Sequence, residues 1–310
     1  MKLKKLFQGT FEQSKKIVKS RKWLLNEGDS QLDYSSYLNR ILSVILIIGF
    51  TLMSYSFIYL SLDSRGKNLT LAPNTGNNVY YIGIVSQPFF IIVSILLALI
   101  TLRILFPFKN IAKFMNNGWV LMPLWIFSVL LSVLPLLLGL SLGNSGVIAT
   151  IVSGLVVINF EIYHFRSWLM DSLQKMYGTK EKLNIFDKLN KKLLPIDHQH
   201  EFKTFLRLIG IFFIIGICGI IETNGQVGPA WTLRLLIGVA TPVVCLMLLE
   251  LLLVCFSIKL SWYYIKKYPT EYRLYYKISD KLWYLGEKRA AKHPHVYGPE
   301  DENKINSNEI

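Results

Sequence analysis

The feature that most constrains this chain is an apolar run from Arg234 to Tyr264 that holds one acidic residue, Glu250, among Leu248, Leu249, Leu251, Leu252 and Leu253. As a helix it is about 45 Å long, more than the roughly 30 Å of hydrocarbon in a bilayer. It is apolar on every side, whereas a helix at the surface of a soluble core keeps a charged face. The run therefore reads as a membrane span, long enough to tilt or to continue past the lipid. Glu250 lies about 22 Å from the Leu235 end, which places a costly carboxylate inside the hydrocarbon.

The same pattern recurs along the chain. Of 310 residues, 52% are hydrophobic and 17% charged, and the apolar residues fall in blocks that predict an all-α bundle of about six transmembrane helices. The spans run over Leu42 to Leu62, Tyr80 to Phe106, Trp119 to Leu140, Val147 to Phe165 and Phe205 to Ile221, followed by the run described above. Ser141 to Gly146 is too short for anything but a tight turn, so the third and fourth spans form an antiparallel hairpin. Pro107 ends the second span, and Pro123 with Pro135 predicts a kink in the third.

A formal charge of +14 in a soluble protein would suggest nucleic acid. Here the bases cluster beside the spans, at Lys109 and Lys113 and again from Lys175 to Lys203, while Ser64 to Val79 and Glu222 to Thr232 hold few. That asymmetry is the positive-inside pattern and puts both termini in the cytoplasm. Anionic lipid headgroups are the partner such charge favours, and no nucleic acid is expected. Heavy use of Lys, Asn and Ile has the flavour of an AT-rich bacterial genome, so the expected location is a bacterial cytoplasmic membrane, crossed several times.

The chain divides accordingly. Residues 1–36 place Leu3, Phe7, Phe11 and Val18 near helical spacing among lysines, either a basic amphipathic segment on the cytoplasmic surface or a disordered basic tail. Residues 37–165 hold the first four spans, 166–204 form a basic cytoplasmic loop large enough to dock protein partner subunits, and 205–264 hold the last two spans. Residues 265–310 read as a basic helix and a disordered tail.

The chemistry centres on Glu250 and Glu161. Both fall roughly 20 Å below the external surface and can meet if the fourth and sixth helices pack together. His164 lies one turn beyond Glu161 on the same face. Two acids and an imidazole at one depth can carry protons or hold a cation. The plainer alternative leaves Glu250 uncharged and hydrogen-bonded to a neighbouring helix, with Glu161 and His164 at the inner interface. Asn159 either lines a path or joins helices, and Arg103, above Leu105, Phe106 and Phe108, is either a countercharge or a snorkelling base. The candidate ion or substrate pathway is thus Glu250, Glu161, His164, Asn159 and Arg103.

No HExxH, G-x-S-x-G, Walker A or Rossmann signature occurs. No catalytic residue is assigned, and a non-enzyme is favoured. Cys218, Cys245 and Cys255 lie inside spans without metal-type spacing, and the pairs His198 with His200 and His293 with His295 lack further ligands. No metal or cofactor is expected. The favoured class is a transport-related membrane protein, a permease subunit or a component of an export or secretion assembly. The alternatives are a membrane assembly protein that moves nothing itself and a membrane enzyme acting on lipid headgroups.

Overall fold

The computed structural model describes residues 2–18, 37–69, 75–106, 108–178, 201–222 and 229–293. Among these the chain forms helices and turns and no strand. Two short helices, α1 (Lys2–Leu6) and α2 (Phe11–Ser14), precede the long ones: α3 (Tyr37–Leu62), α4 (Thr75–Leu102), α5 (Ile111–Tyr177), α6 (Glu201–Glu222) and α7 (Pro229–Lys267). Three short helices follow, α8 (Pro269–Tyr276), α9 (Asp280–Trp283) and α10 (Glu287–Ala290).

Helices α3 to α7 are each long and apolar enough to cross a membrane. With no water in the hydrocarbon, every backbone N–H and C=O needs a partner within the segment, which a helix supplies and an open strand does not. Leu46, Leu52, Ile92 and Leu155 project outward from the bundle, as lipid-facing residues do. This is a helical integral membrane bundle.

Helix α5 crosses twice. A straight helix of its length would span about 100 Å, yet Ile111, Ala112 and Met115 at its start share one buried cluster with Leu169, Leu173 and Met176 at its end. The chain folds back at Gly146, whose φ of 82° and ψ of 172° make it the one non-helical residue inside the helix. Only glycine adopts that conformation without strain. The hydroxyls of Ser141 and Thr150 meet across the turn at 3.0 Å. We call residues 111–145 arm 5a and residues 147–177 arm 5b. The hairpin expected from the short Ser141 to Gly146 connection is thus present, with its break at Gly146, the last residue of that connection. The helices run on through Pro88, Pro123, Pro135 and Pro242.

Side-chain contacts fix the neighbours. Ser64 Oγ donates to the Gly76 carbonyl at 2.8 Å, and the Tyr55 and Phe90 rings lie 6.0 Å apart, so α3 and α4 are antiparallel. Val79 of α4 packs on Gly139, and Phe90 and Val93 share a cluster with Leu131, so α4 and arm 5a are antiparallel. Arg234 Nε of α7 donates to the Asn144 carbonyl at 3.2 Å, Thr241 Oγ1 to the Leu137 carbonyl at 3.2 Å, and Lys259 Nζ to the Asn116 carbonyl. Helix α7 therefore runs the length of arm 5a in the opposite direction and beside arm 5b in the same direction. Helix α6 closes the far side through Leu208 and Phe212, buried with Val157, Phe160 and Leu246.

At the end away from Gly146 the bundle carries a folded cap. Gly9 N–H donates to the Tyr264 hydroxyl at 3.1 Å, and that hydroxyl donates to the Leu6 carbonyl. Tyr263 reaches the Phe7 carbonyl at 3.2 Å, Tyr268 the Gly9 carbonyl at 2.8 Å and Tyr177 the Lys5 carbonyl at 2.9 Å. Lys267 Nζ donates to the carbonyls of Phe7 and Gly9. Residues 2–18 are thus clasped by the end of α7 rather than forming one continuous surface helix. Lys4, Lys5 and Lys16 remain exposed. In α8, burial pushes the Tyr272 and Tyr276 phenols up, Tyr276 to about 12, so both are uncharged at neutral pH. The distal residues 179–200 of the inner loop and the tail beyond 293 lie outside the described residues.

Candidate functional site

The register between arm 5b and α7 decides which polar groups meet. The two helices start together at the Gly146 end, where Gly238 packs on Ser145, and they stay in contact to the cap. Glu250 follows Arg234 by sixteen positions, about 24 Å of helix, and His164 lies at a similar distance along arm 5b. His164 Nδ1 and Glu250 Oε1 stand 2.5 Å apart, with the side chains 25% and 28% exposed. This is a hydrogen-bond contact between an imidazole and a carboxyl group, whose donor depends on the imidazole tautomer. It ties two transmembrane helices together at one point within their apolar length.

Glu161 sits one turn before His164 on the same face of arm 5b, and its carboxyl lies within electrostatic reach of both Glu250 and His164. Its Oε1 is buried and finds no hydrogen-bond partner among the described residues. The cluster lies between two apolar layers. Toward Gly146 stand Val157, Phe160, Phe212 and Leu246, and the Phe160 ring is 5.9 Å from the imidazole. Toward the cap, Phe165 and Trp168 pack on Phe256 at 5.9 Å and 5.4 Å between ring centroids. In so dry a setting each polar contact is stronger than in water, and each unmade one costs more.

The structure brings together three of the five candidates read from the sequence: Glu250, Glu161 and His164. It places the other two elsewhere. Asn159 is on the exposed side of arm 5b beside Ile158 and Ile162. Arg103 follows α4 at the turn into α5, where it contacts the Phe106 carbonyl at 3.5 Å and lies 4.5 Å from the centre of the Phe108 ring. The three cysteines are free and lie on α6 and α7. Among the described residues, no group of His, Cys, Asp or Glu side chains is arranged to hold a metal ion.

Two polar features escape the sequence reading. One is the bond from Lys259 to the Asn116 carbonyl, which locks α7 to arm 5a below the cluster. The other is the buried ion pair of Arg273 with Asp280 in the cap. A signal was available for the cap, because Tyr264, Tyr268, Tyr272 and Tyr276 recur every fourth position and continue the face of α7.

Comparison with known protein families, with curated proteins and with solved structures finds no match to this chain. The site's own geometry is therefore what informs its function.

Proposed function

We propose that this integral membrane protein is transport-related, a permease subunit or a component of an export assembly, and that the cluster of Glu161, His164 and Glu250 is its working centre. The observation that carries this reading is the 2.5 Å contact between His164 and Glu250, made across two membrane-spanning helices. Ionisable residues inside transmembrane segments are costly, and those that persist mark ion, proton or substrate pathways. Purely structural glue needs only a neutral amide or hydroxyl pair. In the orientation favoured by the basic residues of the cap, the Gly146 end faces outward and both chain ends face the cytoplasm. Anionic headgroups and partner subunits at the 166–204 loop fit the same orientation.

A second reading, a membrane assembly protein that moves nothing itself, draws on the cap. A folded surface built from residues 2–18 and the segment that follows α7 is a docking platform as readily as a lock. The test is complementation of a gene deletion, scored by accumulation or loss of labelled solutes and normalised to membrane-inserted protein. Glu250→Gln and His164→Gln should both fail while inserting normally. Full activity of Glu250→Leu would remove the transport reading and leave the assembly reading ahead.

A further inference from the structure

We propose that residues 2–18 are a strap that closes the cap side of the Glu161, His164 and Glu250 cluster, with the Phe7 ring as its plug. The proposal deepens the reading above by naming what keeps that site shut. It rests on that assignment of the site and on the cytoplasmic orientation of the cap.

The two apolar layers that enclose the cluster differ in build. Toward Gly146 the layer is Val157, Phe160, Phe212 and Leu246, all carried by membrane-spanning helices, so it parts only if those helices move. Toward the cap, Phe165 and Trp168 follow Glu161 by four and seven positions and so continue its face of arm 5b. Phe256 of α7 packs on both rings. The last ring of this stack belongs to neither helix. Phe7 meets Phe256 edge to face at 6.3 Å between centroids, and Tyr263 at 5.0 Å. What the described helices leave uncovered of the cluster lies within their apolar length, where hydrocarbon surrounds it. A hydrated ion therefore reaches it along the bundle, from one end or the other.

The strap is fastened in a way that lets it lift without unfolding the bundle. Tyr177, Tyr264, Tyr263 and Tyr268 donate to the carbonyls of Lys5, Leu6, Phe7 and Gly9. Lys267 Nζ donates to those of Phe7 and Gly9. These bonds hold the strap's backbone at the ends of arm 5b and α7, and water replaces each of them when the strap lifts. Leu6, fully buried with Met115, Leu173 and Ile265, keeps it shut at rest. Gly9 lets it lie close, since a Cβ there would stand 2.2 Å from the Met176 methyl and 2.8 Å from the Tyr264 hydroxyl. Because the bonds take backbone carbonyls, changing the Phe7 side chain removes the plug and leaves the fastening in place.

The test uses the full chain with Cys218, Cys245 and Cys255 replaced by Ala and one reporter, Glu161→Cys, in inside-out membrane vesicles. A charged, membrane-impermeant methanethiosulfonate is added from the cytoplasmic face, and the rate of modification is read by mass. Phe7→Ala should raise the rate at position 161 by about tenfold or more, because reaction follows the population of the open form. Tyr264→Phe, which releases the Leu6 carbonyl and the Gly9 amide, should raise it less. Lys4→Gln, on the exposed side of the strap, should leave it unchanged. Two other reporters bound the result: Lys109→Cys in the exposed turn before arm 5a gives the unhindered rate, and Gly154→Cys, deep in arm 5b, should stay unreactive in every variant. A rate at 161 that is unchanged in Phe7→Ala, or that rises equally in Lys4→Gln, overturns the proposal. So does a matching rise at 154, which marks a loosened bundle rather than a lifted strap. Labelling needs no transport, so the two readings fail separately. A rise at 161 alongside full activity of Glu250→Leu in cells sinks the transport reading alone, and an unchanged rate alongside inactive Glu250→Gln and His164→Gln sinks the strap alone.

Discussion

Arg273 and Asp280 form an ion pair with side chains only 3% and 2% exposed, and the guanidinium also lies over the Trp283 and Tyr284 rings at 5.8 Å and 5.2 Å. Truncating one partner of such a pair strands a charge in a dry site, which costs about 3–5 kcal/mol. Asp280→Ala should therefore loosen the cap, whereas Lys281→Ala, whose pair with Glu287 is exposed and screened by water, should leave it as it is. Limited proteolysis of the full chain in detergent checks this, with faster cleavage within 269–293 for Asp280→Ala only. Side-chain roles were partly legible. The sequence marks Glu161, His164 and Glu250 as intramembrane groups because charge inside an apolar run stands out on inspection. It sets Glu250 among leucines and leaves Glu161 and His164 an inexpensive place at the inner interface. In the structure Glu250 is satisfied by His164, and Glu161 is left with an unpartnered oxygen. Which carboxylate finds a partner depends on the rotation of two helices about their axes, and no residue spacing states that.

Arms 5a and 5b turn on one residue, Gly146, and two neighbours close in around it. A Cβ on Gly219 would lie 2.1 Å from the Ser145 carbonyl oxygen, and one on Gly238 would lie 2.3 Å from the Ser145 hydroxyl. The first obstacle is backbone and cannot swing aside. Gly146→Ala should cost about 1–3 kcal/mol through its backbone conformation, and Gly219→Ala should destabilise by forcing α6 away from arm 5a. Gly154→Ala, with open space at the added carbon, is the control and should be neutral or gain up to about 1 kcal/mol of helix propensity. Thermal unfolding in detergent, followed by helical circular dichroism, ranks the three. The hairpin was readable because a short polar turn separates two long apolar runs. The break at Gly146 falls within the Ser141 to Gly146 connection read from the sequence, but that this one glycine carries the turn depends on its backbone conformation, which spacing does not state.

The described residues form a bundle clasped at one end, where residues 2–18 meet the end of α7. Residues 2–18 are held by tyrosine hydroxyls and Lys267 through backbone carbonyls, each bond contributing about 0.5–1.5 kcal/mol. Deleting residues 2–18 should raise hydrogen exchange across 169–177 and 260–276, where the clasp sits, and leave the α3 and α4 pair unchanged. Equal exchange in both regions would show that the clasp holds nothing. By itself the sequence determined the solvent of this protein and the number and order of its passes, because burying a charge in hydrocarbon is so costly that long apolar runs admit one interpretation. It also determined which residues are chemically out of place in those runs. Only the tertiary structure decided that arm 5b and α7 face each other with His164 and Glu250 in register, that Arg103 and Asn159 lie elsewhere, and that the basic N-terminus folds onto the bundle. In lipid, apolar surface supplies no drive for one helix face over another, so rotation and partner are set by the few polar bonds and close glycine contacts between helices.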